Sequence, residues 1–178
     1  MKKLLIVLLS IFILCGCKNT NSAVNIVKEY LDDFKNLSVS VEKEIDRVIY
    51  KSDDLSLDQK KLYKKIFIKQ YQSLNYDILS EEYDNNKALI KVNINVFDLN
   101  KSEEKALEYL SDHLSEFYDE NNIFDNVKYT TYKLGLMYDA SDKIDYEIVF
   151  FLKHKNNKWV LEEPTENDLE KIHGIYKE

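Results

Sequence analysis

Glycine is almost missing from this chain: three residues in 178, at 16, 135 and 174. Glycine-rich loops that cradle phosphates need several in close succession, so nucleotide-binding loops of that kind are excluded. Proline occurs once, as Pro164, and arginine once, as Arg47. Any site built on bidentate guanidinium clamps therefore has a single candidate. No H-E-x-x-H, G-x-S-x-G or C-x-x-C is present, which removes the best-defined zinc, serine-nucleophile and dithiol patterns. Cysteine occurs twice, as Cys15 and Cys17. A disulfide across one intervening residue closes a very small ring and strains the S–S geometry. A zinc site normally wants four ligands, and no companions stand nearby.

Positive charge is also in deficit. With 25 Lys and Arg against 32 Asp and Glu, the formal charge is −7. Such a balance argues against nucleic acid as a partner, because phosphates call for clustered Lys and Arg. It argues in the same way against a polybasic contact with anionic lipid.

What is present begins with Lys2 and Lys3, followed by the uncharged apolar run Leu4 to Leu14, broken only by Ser10. Eleven helical residues reach about 16 Å, against a hydrocarbon core of about 30 Å. The run has the length of a signal-peptide core and falls short of a span. Leu14, Cys15, Gly16 and Cys17 then resemble the lipobox of bacterial lipoproteins, with an aliphatic residue at minus three and a small one at minus one. The resemblance implies that the thiol of Cys17 receives a diacylglyceryl group and that residues 1–16 are removed as a signal peptide. Two acyl chains hold firmly where one anchors only marginally. Loss of Lys2 and Lys3 takes the charge to −9, and residues 17–21 become a lipidated tether. Residues 22–178 then form one α+β domain, long enough for a real core.

Along that domain the apolar spacing alternates between helix and strand. Ser22 caps a helix whose buried stripe is Val24, Val27, Tyr30, Leu31 and Phe34. Ser38 or Ser40 opens a second helix through Val41, Ile45, Val48 and Ile49, and Asp53 and Asp54 mark a loop. Ser56 and Gln59 form a capping box ahead of Leu62, Ile66, Phe67, Gln70 and Tyr71. "NYDILSEEY" and "KALIKVNINVF" form a hairpin around Asp84, Asn85 and Asn86, since Asn tolerates left-handed backbone. In the second strand Ala88, Ile90, Val92, Ile94 and Val96 share one face, while Lys91, Asn93 and Asn95 share a wet one. Helical spacing returns from Ser102 to about Glu120 through Ala106, Leu107, Leu110, Leu114 and Phe117. A further helix carries Phe124, Val127, Thr131, Leu134 and Tyr138. Ile144, Tyr146, Ile148, Phe150 and Leu152 alternate as a third strand. A turn over 155–158 leads to Trp159 and Leu161. Thr165 caps a last helix and Gly174 stands where a C-cap glycine belongs. The two hairpins merge into one curved antiparallel sheet of four or more strands, with helices on a single face.

Candidate chemistry is sparse. "DENNIFDN" alternates Asp119, Asn121 and Asp125 in the manner of a calcium loop. However, Ile123 holds a ligand position, Phe124 replaces the glycine and Thr130 stands where a bidentate Glu belongs. A solvated acidic loop is the expected reading. His113 flanks an apolar stripe, which predicts a buried or partly buried structural residue. His154 lies by a turn and is expected to be exposed. His173 sits in a last helical turn, where a cation favours the dipole. Tyr76, Tyr83, Tyr129, Tyr132, Tyr138 and Tyr146 fit either core packing with a wet hydroxyl or an aromatic contact surface. No catalytic, cofactor-binding or metal-binding residue is assigned.

The segments "LSLDQKKLYKKIFIKQYQSLNYDI", "KALIKVNINVFD" and "NDLEKIHGIY" resemble small lipoproteins of low-GC Gram-positive bacteria. That resemblance implies a nuclear-transport-factor-like or cystatin-like fold and supplies no catalytic residues to carry over. The expectation is a lipoprotein held at the extracytoplasmic face of the cell membrane through lipid on Cys17. Its domain would bind an envelope protein, a peptide or a small-molecule ligand on a concave sheet face lined by Tyr and Asn. The alternative is a small enzyme with a buried Asp, Glu or His at the base of that cavity.

Overall fold

The computed structural model describes residues 22–177. In chain order the elements are α1 (Ala23–Lys35), α2 (Val39–Tyr50), α3 (Leu57–Gln72), β1 (Asn75–Asp84), β2 (Lys87–Phe97) and α4 (Leu99–Asp112). A 3-10 turn (Leu114–Phe117), α5 (Asn126–Tyr138), β3 (Lys143–Lys155), β4 (Lys158–Leu161) and α6 (Glu166–His173) follow. The strands form one open antiparallel sheet in the order β1-β2-β3-β4. The protein is thus the expected α+β layer, with the two hairpins merged by pairing of β2 with β3.

The β2–β3 register explains why one sheet face is dry. Ile90, Val92, Ile94 and Val96 pair with Phe150, Ile148, Tyr146 and Ile144, so the apolar positions of both strands project together. The four β2 residues are each 0 % exposed. Burying a side chain of this kind contributes roughly 1.5–3 kcal/mol. Against this face lie α1, α3 and α6, while α2 and α5 pack outside on α3 and α4 packs on α5. Phe34 stacks edge-on against Tyr30 and Tyr71 within that core, at 5.3 and 5.1 Å between ring centres.

Local rules hold at most boundaries. Ser22, Ser38, Ser56 and Thr165 cap α1, α2, α3 and α6, the last two as full capping boxes. Asn156 and Asn157 take φ of 50° and 59° in the β3–β4 turn, the left-handed pair that a two-residue hairpin loop requires. Gly174 is left-handed at φ 70°, and a Cβ there would meet the Phe97 carbonyl oxygen at 2.1 Å. Beside it the Gln70 amide pairs with both backbone groups of Phe97: Nε2 donates to O, and N donates to Oε1, each at 3.1 Å. The end of β2, the end of α3 and the stop of α6 thus meet at one joint.

Two helices differ from the sequence expectation. The first starts at Leu99, capped by the Asp98 carboxylate, and stops at Asp112 instead of running from Ser102 to Glu120. His113 leaves helical geometry (φ −127°, ψ 34°). An unbroken helix would carry Phe117 about 16 Å along the axis from Ala106. The break folds it back into a small second cluster with Ala106 and Tyr129. Leu107 and Leu114, placed on the expected stripe, are 50 % and 46 % exposed. In α5 the expected stripe shares only Leu134 with the buried face, which is Tyr129, Thr130, Lys133, Leu134 and Met137. Phe124 precedes the helix and bridges to Tyr118 instead. Two polar residues on the buried side, Thr130 and Lys133, disguised that face in the sequence.

Candidate functional site

The concavity described here lies between α1 and the free edge of β1. Lys28, Asp32 and Lys35 follow i, i+4, i+7 spacing and so project from one flank of α1. Asn75, Tyr76, Asp77 and Ile78 form the opposite wall, and together these residues line an open cleft of about 550 Å³. That volume is within the range of small-ligand sites. The Tyr76 hydroxyl donates to the Asp32 carboxylate at 2.8 Å and fixes the middle of the cleft. Burial and this carboxylate push the Tyr76 phenol well above its ordinary value, so it keeps its proton. Lys35 Nζ donates to Asn75 Oδ1 at 3.3 Å. As the outermost strand, β1 also turns main-chain N–H and C=O groups toward the cleft side. The site offers permanent donors and acceptors for binding, with cations from α1 and carboxylates from both walls.

The residues singled out by sequence do not gather there. Of the six tyrosines only Tyr76 lines the cleft. Tyr129 is buried against Phe117, Tyr146 stands edge-on to Tyr176, Tyr83 meets Trp159, and Tyr138 lies under the Lys69 ammonium. Tyr76, Tyr83 and Tyr146 pair with inward-facing residues of β2. The open sheet face therefore carries Asn93 and Asn95 but none of these tyrosines, contrary to the expected Tyr- and Asn-lined surface.

Each histidine has a packing role. His113 is exposed, against expectation, and its ring stacks on Tyr109 at 4.0 Å. The end of the helix at His113 lifts it off the apolar stripe. His154 is half-buried, 4.9 Å from the Trp159 ring. His173 is 1 % exposed, and burial pulls its pKa down to about 3. It is neutral and cannot supply the cation expected at the helix end; Lys171 is the charged residue of that turn. Its Nδ1 lies 3.0 Å from the Tyr71 hydroxyl, and neither group lines the α1–β1 cleft.

The remaining charged candidates are engaged locally. Asp119 Oδ1 accepts from the backbone N–H of Asn121 and Ile123, both at 2.9 Å, and Asp125 caps α5. Among the described residues no group of three His, Cys, Asp or Glu is placed to hold a metal ion. Arg47 pairs with Glu44 one turn earlier on its own helix. Cys15, Cys17 and the proposed signal segment lie outside the described residues, within which no helix is long and apolar enough to cross a membrane. Sequence reading missed the Tyr76–Asp32 contact, which joins positions 44 residues apart. No local pattern could have revealed it, because the pairing depends on α1 lying along the β1 edge.

No family model matches the chain, and no curated protein matches it. Among solved structures it is similar to YcdA, a candidate lipoprotein of Bacillus subtilis, at 13 % identity with a TM-score of 0.43. The alignment covers 88 % of this chain and 48 % of that one, so this chain spans about half the length of YcdA. A likeness of this size carries neither fold nor function across.

Proposed function

We propose that this protein is a lipid-anchored module of the extracytoplasmic membrane face that binds an extended peptide segment in the α1–β1 cleft. The observation that carries this reading is the pairing of an open sheet edge with a charged helix flank. A strand edge supplies main-chain hydrogen bonds to any extended segment, and side chains of the facing wall select among them. Lys28 and Lys35 favour carboxylates on the segment, whereas Asp32 and Asp77 favour ammonium or guanidinium groups. Catalysis fits less well: of the strongly shifted groups, Tyr30, Tyr63, Tyr71 and His173 face the core, and Tyr76 in the cleft holds its proton against the Asp32 carboxylate.

The anchor is proposed on the sequence alone. Cys17, the last residue of its lipobox-like Leu14–Cys17 segment, stands five Cα steps from Ser22, so the tether reaches at most about 17 Å between Cys17 and the cap of α1. Replacing Cys17 with Ala should abolish incorporation of a labelled lipid precursor and leave the uncleaved chain; persistent labelling overturns the anchor. For the cleft, a photoreactive residue at Asn75 in the full chain in cells should give discrete adducts. Lys35→Glu should shift or weaken those adducts, and the same group at Asp53 should give none of them. Identical adducts from both positions, or none from Asn75, overturn the peptide reading.

A further inference from the structure

The two hairpin turns form one end of the sheet, and the start of α1 lies toward that end. Lys35 reaches Asn75 and Asp32 reaches Tyr76, at the beginning of β1. Tyr30 meets the Phe150 ring at 5.8 Å, further along the sheet, since Tyr76 stands level with Tyr146 through Ile94. At about 1.5 Å per residue the helix carries Ser22 about 12 Å beyond Tyr30. That direction leads to the level of residues 152–155, where β4 pairs with β3, and α1 packs on β4. The His154 N–H donates to the Asn86 carbonyl at 2.7 Å and ties the two turns together. Tyr83 and His154 stand edge-on to Trp159 there, at 5.7 and 4.9 Å between ring centres.

Residues 84–87 and 153–159 hold Lys87, Lys153, Lys155 and Lys158, all exposed, against one acid, Asp84. The chain as a whole carries −7, so strand pairing gathers at this end the sign that the composition has in deficit. Lys87 stands opposite Lys153, and Lys155 opposite Lys158. Like charges set directly across a ladder repel. Glu162 takes Lys153, and the other three lysines have no ion pair among the described residues. Glu82 and Glu162 lie level with Phe151, about 7 Å behind the Lys87–Lys153 pair. We infer that this end is laid on the anionic headgroup layer of the membrane that holds the chain. The lysines meet headgroup phosphates, and Trp159 and Tyr83 stand at the level where amphipathic rings favour the interface. The inference rests on the lipid anchor proposed at Cys17, whose tether of at most about 17 Å keeps the start of α1 near the bilayer. The α1–β1 cleft then opens away from the lipid, since Lys35 lies about 20 Å along the helix from Ser22.

Trp159 is the single tryptophan of the chain, so its fluorescence reports this end directly. The full chain, purified from cells, is reconstituted in vesicles of phosphatidylcholine with or without an equal part of phosphatidylglycerol. Each vesicle carries a nitroxide-headgroup lipid as quencher. Flotation with pure phosphatidylcholine reads the anchor, and quenching of Trp159 reads the face. Quenching should be stronger by roughly twofold or more with phosphatidylglycerol, and about 1 M salt should remove the difference. Lys155→Glu with Lys158→Glu should abolish it. Lys43→Glu with Lys65→Glu, an equal charge change at exposed positions of α2 and α3, should leave it intact. Chains that float but are quenched equally in both vesicles overturn the inference and leave the anchor standing. So do chains in which both double variants lose the difference alike, which would report net charge and not this end. Chains that fail to float with phosphatidylcholine lack the anchor. In them, quenching that needs phosphatidylglycerol, Lys155 and Lys158 sustains the face without the tether, and its absence overturns both readings. Quenching abolished by inorganic phosphate at constant ionic strength would report a small-anion site and overturn the membrane contact.

Discussion

The Tyr71 hydroxyl lies 3.0 Å from Nδ1 of His173, joining the third helix to the last across 102 residues of chain. Both side chains are buried, and Nε2 of the imidazole has no hydrogen-bond partner among the described residues. Desolvation disfavours the charged ring, and its pKa falls from 6.5 to about 3.

Below pH 6.5 the unfolded chain therefore binds a proton at His173 that the folded chain refuses. Stability is present above 6.5 and is lost as pH falls toward 3, at about 1.4 kcal/mol per pH unit from this group. Glu103 adds a loss of the same sign further down. Burial opposes its ionisation, but Lys133 and Lys177 hold its carboxyl below the usual range. Urea unfolding of wild type and His173→Phe between pH 7 and 4 should show a shallower slope in the variant. Parallel slopes would mean that the ring is not buried in neutral form.

Gly174→Ala should destabilise by about 2–4 kcal/mol, through the left-handed φ and the clash with the Phe97 carbonyl. Gln70→Leu, which removes both amide contacts with Phe97 at the same joint, should cost about 1–3 kcal/mol. Because the two residues share Phe97, the double variant should lose less than the two singles added together. Strict additivity in chemical denaturation would separate them.

Leu107→Ala should change stability by less than about 0.5 kcal/mol, because the side chain is half exposed. Ile94→Ala, at a position with no exposure, should cost about 2–5 kcal/mol. A Leu107 variant as costly as the Ile94 variant would favour the helix face expected from sequence over the one found.

In the β3–β4 turn, Asn157→Gly should be neutral or stabilising by a few tenths of a kcal/mol, and Asn157→Val should cost about 1 kcal/mol or more. The measurement is the shift in denaturation midpoint. Equal midpoints would show that φ of 59° is not held in solution.

What the sequence determined by itself was everything governed by near neighbours. Caps at Ser22, Ser56 and Thr165, the stop at Gly174, the alternation of β2 and β3 and the α+β order all follow from spacing and local hydrogen bonding, which require no knowledge of distant chain. Where polar residues entered a buried face, as at Thr130 and Lys133 in α5, the apolar pattern pointed to the wrong side. His173 shows the same limit: its place in a last helical turn suggested a cation, but burial against Phe67 and Tyr71 makes it neutral. Tertiary structure alone decided the cleft, because Asp32 meets Tyr76 only once α1 lies along an open strand edge.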